Sequence, residues 1–166
     1  MHIPFRASEG CSLGVEVELG IVDLRTGELA GAASSLLAEL GAGHPDGEHP
    51  KAKHELFECT LEIVTGICAT PAAARADLEA TLAEVRAAAE PRGLALMCAG
   101  THPISHWSGQ QISPPERYHQ LVERIQWPAR RLAIHGVHFH IGVRSAEKAV
   151  ALTNSLAFHL PMLLAL

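Results

Sequence analysis

Acidic and imidazole side chains interrupt three otherwise apolar segments of the sequence. They are Glu16 and Glu18 in GVEVEL, Glu55 and Glu62 in HELFECTLEIV, and His138 and His140 in GVHFHIGV. Side chains of a β-strand alternate between its two faces, so Glu16 shares a face with Glu18, and His138 shares a face with His140. The pattern therefore predicts strands that have one apolar face and one face with ionisable groups.

Several carboxylates that face a common cleft repel one another unless cations lie between them. Carboxylates and imidazoles without thiolates are typical ligands of Mg²⁺ or Mn²⁺ rather than of a structural zinc, and Mg²⁺ commonly links protein carboxylates to nucleotide phosphates. The pattern therefore predicts a nucleotide–metal site on a sheet. A polar sheet surface with hydrogen-bonded histidines is the alternative, and residue spacing alone leaves both open.

Hydrophobic periodicity predicts the elements that must position these groups. We expect a hairpin within 12–29, in which a strand turns into a second short strand, and a strand within 54–66 whose Glu58 faces solvent. We also expect a strand from Leu94 and a buried strand within 136–144. The predicted helices cover 33–40, 70–89, 116–125 and the apolar segment that follows Ser145. The long loop between Gly100 and Pro115 is rich enough in polar and aromatic residues to contact a substrate. The sequence contains no internal linker, so we expect residues 1–166 to be a portion of a single domain.

Composition excludes several classes of protein. With 166 residues, 48% hydrophobic content and a formal net charge of −5, the chain is typical of globular domains and lacks a basic surface for nucleic acid. The first residues contain no apolar stretch of signal-peptide length, and no segment is long enough to cross a membrane, so we expect a cytoplasmic protein. Cys11, Cys59, Cys68 and Cys98 are scattered, which favours reduced thiols, with Cys59 in the core.

The segments GVEVELGIVD, HELFECTLEIVTGIC, GLALMCAGTHPISHW, RYHQL and GVHFHIGV, in this order, resemble the amino-terminal part of the glutamate-cysteine ligase type 2 family, the carboxylate-amine ligases. The resemblance runs from about Leu13 to Leu166. It implies an α+β fold of the glutamine synthetase-like superfamily, in which a curved antiparallel sheet is backed by helices. The implied reaction is ATP-dependent: glutamate is phosphorylated on its γ-carboxylate, and an amine such as that of cysteine attacks the acyl phosphate, a step of glutathione biosynthesis.

The resemblance also implies roles for individual residues. Mg²⁺ or Mn²⁺ would be bound by Glu16, Glu18, Glu55, Glu62 and His138, and His140 would approach the nucleotide phosphates. Candidate substrate contacts are Thr101, His102, Trp107, Arg117 and Tyr118, of which Trp107 and Tyr118 are equally explained as packing residues. Glu55 and Glu62 have opposite parity, so both can face the metals only if the strand contains a bulge or an irregular entry. No Ser or Cys lies in a recognisable nucleophile motif.

The chain departs from the family in length, because members are typically more than twice as long. We therefore expect about half of a site, no turnover by this chain alone, and either a homo-oligomer or a missing carboxy-terminal half that covers the apolar final helix. A non-catalytic metal- or nucleotide-binding remnant is the alternative function, and a metal-dependent hydrolase is a weaker one. Nothing in the sequence recognises a thiol, so cysteine as the acceptor rests on the resemblance alone.

Overall fold

An eleven-residue strand, β1 (Leu13–Asp23), is the centre of the fold. In this computed structural model, which describes residues 4–165, β1 pairs along one edge with β3 (Thr60–Val64), and β3 pairs with β2 (Ala52–His54). Along its other edge β1 pairs first with β5 (Val137–Ile141) and then with β4 (Leu94–Met97). All of these pairings are antiparallel, so the described strands form one five-stranded antiparallel sheet, as predicted.

Helices cover the apolar face of this sheet, which gives the predicted α+β class. The helices α1 (Ala33–Gly41) and α2 (Pro71–Ala89) pack against β1 and β3. The core between them contains buried apolar side chains that alternate along the strands and recur along the helices: Leu19, Ile21, Leu36, Leu61, Ile63 and Val85. Each such side chain stabilises the fold by about 2 kcal/mol on burial. The opposite face of β1, with Glu16 and Glu18, is not covered by α1 or α2.

The boundaries of α2 follow the predicted signals. The Thr70 hydroxyl accepts a hydrogen bond from the Ala73 amide at 3.2 Å, and Pro71 occupies the first turn, where a missing N–H costs nothing. A short 3₁₀ turn, Glu90–Arg92, follows the helix, and Gly93 ends it with a φ of 68°, a left-handed conformation that glycine adopts without strain. The chain then turns directly into β4.

The single strand predicted within 54–66 is wrong, because the segment divides into β2, a turn and β3. Residues between the two strands form only an isolated bridge, from Phe57 to Ile112. Glu58, predicted to face solvent, is 9% exposed, and its carboxylate accepts hydrogen bonds from the hydroxyl of Ser34 at 2.6 Å and its amide at 3.3 Å. Glu58 therefore caps the first turn of α1 from a distant segment, a contact that alternation cannot reveal.

A second cluster of buried side chains lies under the loop that precedes α3 (Glu116–Ile125). Tyr118 and Val122 from α3 pack there against Phe57 and Cys59, the cysteine that was predicted to lie in the core. The short helix α4 (Trp127–Arg130), which periodicity did not predict, adds Ala129. The four cysteines are free thiols.

Strand β5 is present where predicted, but it is not buried. Val137, Phe139 and Ile141 share its apolar face, and Phe139 is 68% exposed. The helix that follows, α5 (Ala146–Leu164), is capped by Ser145 as predicted and is exposed from Val150 to Leu164. Both elements thus present apolar surface that no described residue covers. None of the helices within residues 4–165 has the length and apolar character needed to cross a bilayer.

Candidate functional site

The sheet register brings three of the predicted segments to one face of β1. Glu18 lies directly opposite Glu62 of β3, and Glu16 lies directly opposite His138 of β5. His140 lies opposite Gly14, on the same face. Side chains directly opposite on antiparallel strands lie about 5 Å apart at Cβ, within interaction range. The predicted polar faces therefore form one acidic–imidazole face: Glu16, Glu18, Glu62, His138 and His140.

Glu16 forms the imidazole end of this face. One of its carboxylate oxygens, Oε2, lies 3.2 Å from Nδ1 of His138 and 3.2 Å from Nε2 of His140. An ionised carboxylate only accepts hydrogen bonds, so both rings donate their N–H groups to it. Burial acts to raise the pKa of Glu16, but the hydrogen bonds from His140 and His138 outweigh burial and lower it. Both histidines remain more than half exposed, so their rings are accessible to a ligand.

Glu18 is held by the backbone that leads into β5. The Gly136 amide donates to Glu18 Oε2 at 2.8 Å, and the Glu18 amide donates to the Gly136 carbonyl at 3.0 Å. A Cβ added to Gly136 would lie 3.1 Å from Nε2 of His138 and 3.7 Å from Oε2 of Glu18. The glycine in GVHFHIG thus allows the backbone to approach both ionisable groups closely.

The second pair of acids carries raised pKa values. Burial, followed by the negative charges of Glu16, Glu55 and Glu18, raises the pKa of Glu62 to about 7. Burial and then the charge of Glu18 raise the pKa of Glu55. Glu55 lies in the turn between β2 and β3, and this interruption of the strand supplies the irregular entry that its parity required. The acids therefore interact electrostatically, as a crowded cluster of carboxylates must.

Arg117 and Tyr118, both on α3, lie against the segment that carries Glu55. The Tyr118 hydroxyl donates to the His54 carbonyl at 2.6 Å and lies 3.4 Å from Oε2 of Glu55, while Arg117 donates to the same hydroxyl at 2.6 Å. The Arg117 guanidinium also lies 4.6 Å from the centre of the Tyr118 ring. Tyr118 is buried, so packing accounts for it, whereas Arg117 reaches the cavity beside Glu62.

Thr101 and His102 hold the long loop rather than join the acids. The Thr101 hydroxyl donates to the Ala133 carbonyl at 3.2 Å. Nδ1 of the buried His102 accepts from the amides of Ile104 and Ser105 at 3.3 and 3.0 Å. The partly exposed Trp107 lies in a 3₁₀ turn, Trp107–Gly109. The structure thus does not bring these candidate substrate contacts to the acidic–imidazole face.

Two cavities flank the acids. The first, which we call the Glu18 cavity, measures about 400 Å³ and is lined by residues that include Glu18, Glu55, Tyr118, His135 and His138. The second, the Glu62 cavity, measures about 740 Å³, and its lining includes Lys53, His54, Glu62 and Arg117. Lys53 lies directly opposite Glu62 on β2. The acids therefore separate a cavity with cationic side chains from one that is mainly acidic and apolar.

Sequence reasoning missed Lys53 and His135. Lys53 was missed because β2 is too short for its alternation to be recognised. His135 precedes β5, and its only sequence signal is that it lies close to the two histidines of that strand.

The donor set fits a divalent cation in type but does not enclose one. Carboxylates with imidazole suit Mg²⁺ or Mn²⁺. Burial and then the charges of the neighbouring acids raise the pKa of Glu62, and a cation would relieve the repulsion between these acids. Among the described residues, however, no three His, Cys, Asp or Glu side chains are arranged to bind a metal together. Glu16 is instead engaged by His138 and His140, and Glu18 by Gly136. A metal could be bound by these side chains only if they rotated from the positions that they occupy here.

Comparison with known proteins shows which family this sequence resembles. The family model of glutamate-cysteine ligase family 2 matches residues 12–166. A relative from Frankia casuarinae, provisionally named glutamate–cysteine ligase 2-1, is 51% identical over 166 residues, which are 100% of this chain and 44% of the relative. Provisionally named glutamate–cysteine ligases 2 from Thermobifida fusca and Mycobacterium tuberculosis are 45% and 43% identical, and 42% of each is covered. The chain thus spans less than half the length of these curated relatives.

Proposed function

The chain belongs to glutamate-cysteine ligase family 2, and we propose from this that it supplies the metal–nucleotide half of an ATP-dependent carboxylate-amine ligase. The ligase would join the γ-carboxylate of glutamate to an amine, such as that of cysteine, through an acyl phosphate. The observation that carries the proposal is the position of Glu18 opposite Glu62, beside Glu16 and His138. Like charges directly opposite on neighbouring strands destabilise a sheet, so a functional cation explains their presence.

The residues that would bind Mg²⁺ or Mn²⁺ are Glu16, Glu18, Glu62 and His138, with Glu55 reaching the same cluster from the turn before β3. The bound ions would neutralise phosphate charge during phosphoryl transfer, a reaction that depends mainly on positioning and electrostatics. This chemistry needs no protein nucleophile, in agreement with the residue types on this face.

Cationic and imidazole side chains beside the acids would bind the negatively charged groups of the substrates. His140 is 60% exposed beside Glu16, where a phosphate oxygen could replace the carboxylate as its hydrogen-bond acceptor. Lys53 and Arg117 line the Glu62 cavity and would attract a phosphate or a substrate carboxylate, Arg117 with a planar fork of donors. The cytoplasm, the expected location, would provide ATP and amino acids.

The activity is proposed for the whole protein that contains this chain. The test is ADP release with Mg²⁺ and ATP, measured with glutamate and cysteine together and with each omitted. We expect release only when both are present, and loss of release in Glu18→Gln. Glu123→Gln, a change of an exposed acid on α3, is the matched control and should be active. ADP release that does not depend on glutamate or the amine would contradict the proposal.

The non-catalytic alternative is a binding remnant of the same fold. Such a remnant would bind Mn²⁺ with ATP yet release no ADP with any combination of glutamate and amine, so the same assay separates the two functions.

A further inference from the structure

His135 is a buried histidine that the acidic–imidazole face does not use. It is 8% exposed and lies at the end of the loop that leads into β5. Its Nδ1 lies 3.1 Å from the carbonyl oxygen of Ala99. A carbonyl oxygen only accepts hydrogen bonds, so Nδ1 carries the proton and donates to it. In a neutral ring, Nε2 is then left with a lone pair.

This lone pair has no partner within the described part of the chain. Nε2 of His135 is buried, and no described group donates a hydrogen bond to it. Burial, the largest influence, lowers the pKa of His135, which favours the neutral ring. Buried polar atoms in proteins nearly always have partners, so an orphaned acceptor calls for a specific explanation.

The position of the ring points to a ligand. His135 lines the Glu18 cavity together with Glu18, Glu55 and His138. Its Nε2 would lie 3.2 Å from a Cβ built on Gly20, a residue on the same face of β1 as Glu18. The absence of a side chain at Gly20 therefore makes room for the imidazole beneath the acids.

The lining of the cavity restricts the chemistry of that ligand. The ligand must donate a hydrogen bond to Nε2, and Glu18 and Glu55 favour a positive charge. The remaining walls include Phe57, Leu121 and Ile134, which suit a compact organic group rather than a hydrated ion. A primary amino group satisfies each of these conditions.

We propose that Nε2 of His135 accepts a hydrogen bond from the primary amino group of an amino-acid substrate bound in the Glu18 cavity. The inference rests on the proposed ligase function, in which glutamate and the amine acceptor both carry such a group. His135 is thus a substrate-binding residue that selects free amines.

Imidazole ¹⁵N NMR on the chain tests the inference without turnover. Long-range ¹H–¹⁵N spectra should first show His135 protonated at Nδ1 only. Cysteine and glutamate are then titrated separately, with N-acetylcysteine and N-acetylglutamate as matched probes that lack a primary amine. We expect the Nε2 resonance to move with cysteine, glutamate or both, and not with either acetylated probe. The amino acid that moves the resonance identifies the source of the amine. A proton on Nε2 before titration, no movement with either amino acid, or equal movement with the acetylated probes would overturn the inference.

Metal alone provides a further arm of this experiment. If Mg²⁺ alone moves the Nε2 resonance as a directly bound ligand would, His135 is a metal ligand and the amine proposal is wrong. We expect Mg²⁺ to move the resonances of His138 instead.

Kinetics on the protein that contains the chain separate a binding role from a structural one. His135→Leu removes the acceptor, and His135→Gln keeps a side-chain oxygen that can accept. We expect the Leu variant to raise KM for one amino-acid substrate about tenfold or more, the size of one lost hydrogen bond to a charged group, with KM for ATP unchanged. The Gln variant should recover part of this loss. Equal effects of His135→Leu on the KM values of all substrates would show that the residue has a structural role. Absence of ADP release in the unmodified protein would refute the ligase function, but the NMR experiment would still test amine binding by His135.

Discussion

Glu18 and Glu62 are directly opposite residues on neighbouring antiparallel strands, with both carboxylates on the face of the sheet that helices α1 and α2 leave free. Glu62 is partly buried, and its pKa is raised to about 7 by burial and then by the charges of Glu16, Glu55 and Glu18. The sheet therefore places a carboxylate where it resists ionisation without a cation. Sites of this kind trade stability for function.

Glu62→Gln should stabilise the metal-free chain at high pH. The pKa of Glu62 rises from its ordinary value of 4.5 to about 7 in the fold, so folding favours the protonated acid. The unfolded chain loses this proton first, so stability falls as the pH rises from 4.5 to about 7 and then levels off. The Gln variant avoids this loss, and its advantage at pH 8 should be about 1 kcal/mol, after allowance for solvent screening. Thermal unfolding at pH 4.5, 6 and 8 measures it; an advantage that is largest at pH 4.5 would contradict the assignment.

Metal binding should strengthen as the pH rises. A metal ligand must be deprotonated, so Mn²⁺ competes with the proton on Glu62 below pH of about 7. We expect affinity for Mn²⁺ to increase by up to about tenfold per pH unit below that value. Glu62→Gln should weaken binding and reduce its pH dependence between pH 6 and 7.5. Titration calorimetry at several pH values is the measurement, and an unchanged pH profile in the variant would exclude Glu62 as the titrating ligand.

His138→Ala should weaken binding of Mg²⁺ with nucleotide far more than it reduces stability. The His138 side chain is 54% exposed, so its removal should change the free energy of unfolding by about 0.5 kcal/mol or less. Glu18→Ala should give a comparable loss of binding but cost about 1 kcal/mol, because it also leaves the Gly136 amide without its acceptor. Chemical denaturation and nucleotide titration compare the two effects. If binding and stability fall in parallel for His138→Ala, the residue is structural.

Glu58→Ala should destabilise the fold by about 1–3 kcal/mol. The Glu58 carboxylate accepts from the Ser34 hydroxyl and amide, and it is the acid at the N-terminus of α1. Its removal leaves these partly buried donors of Ser34 without their acceptor. Urea denaturation measures the change, with Glu123→Ala as an exposed control expected to be near neutral. A change in Glu58→Ala as small as that of the control would restore the solvent-facing interpretation.

The apolar face of β5 and the helix α5 should cause the isolated chain to self-associate. Phe139 is 68% exposed and Phe158 is 83% exposed, and neither is covered by another described element. Sedimentation velocity over a range of concentrations measures association. Phe139→Ser should reduce it, whereas Arg124→Ser, on the exposed side of α3, should not. A monodisperse monomer at all concentrations would contradict the prediction.

Local patterns predicted the acids and histidines well, because alternation determines which side chains share a face. Glu16 with Glu18, and His138 with His140, needed only the period of a strand. What alternation could not predict were contacts between distant segments. The carboxylate of Glu58 is buried because Ser34 presents donors to it, and the ring of His135 is oriented by the hydrogen bond from its Nδ1 to the Ala99 carbonyl.

The exposure of β5 illustrates a further limit of the sequence pattern. Its apolar alternation was interpreted as one core-facing side, yet the face that carries Phe139 has no described element packed on it. A hydrophobic pattern shows that a face is suited to burial, but not which element covers it. The opposite parity of Glu55 and Glu62 was, in contrast, a correct sign that the strand is interrupted between them.

Transfer of ¹⁸O from glutamate to phosphate tests the central claim most directly. Glutamate labelled with ¹⁸O in its γ-carboxylate would attack the γ-phosphorus of ATP, and the amine would then displace phosphate from the acyl carbon, with the bridging oxygen leaving in the phosphate. With the protein that contains this chain, Mg²⁺, ATP and cysteine, the account predicts one ¹⁸O atom in phosphate for each γ-glutamyl amide formed, and none in Glu18→Gln. Amide formation with unlabelled phosphate, or labelled phosphate in equal amounts from the Glu18 variant, would contradict it.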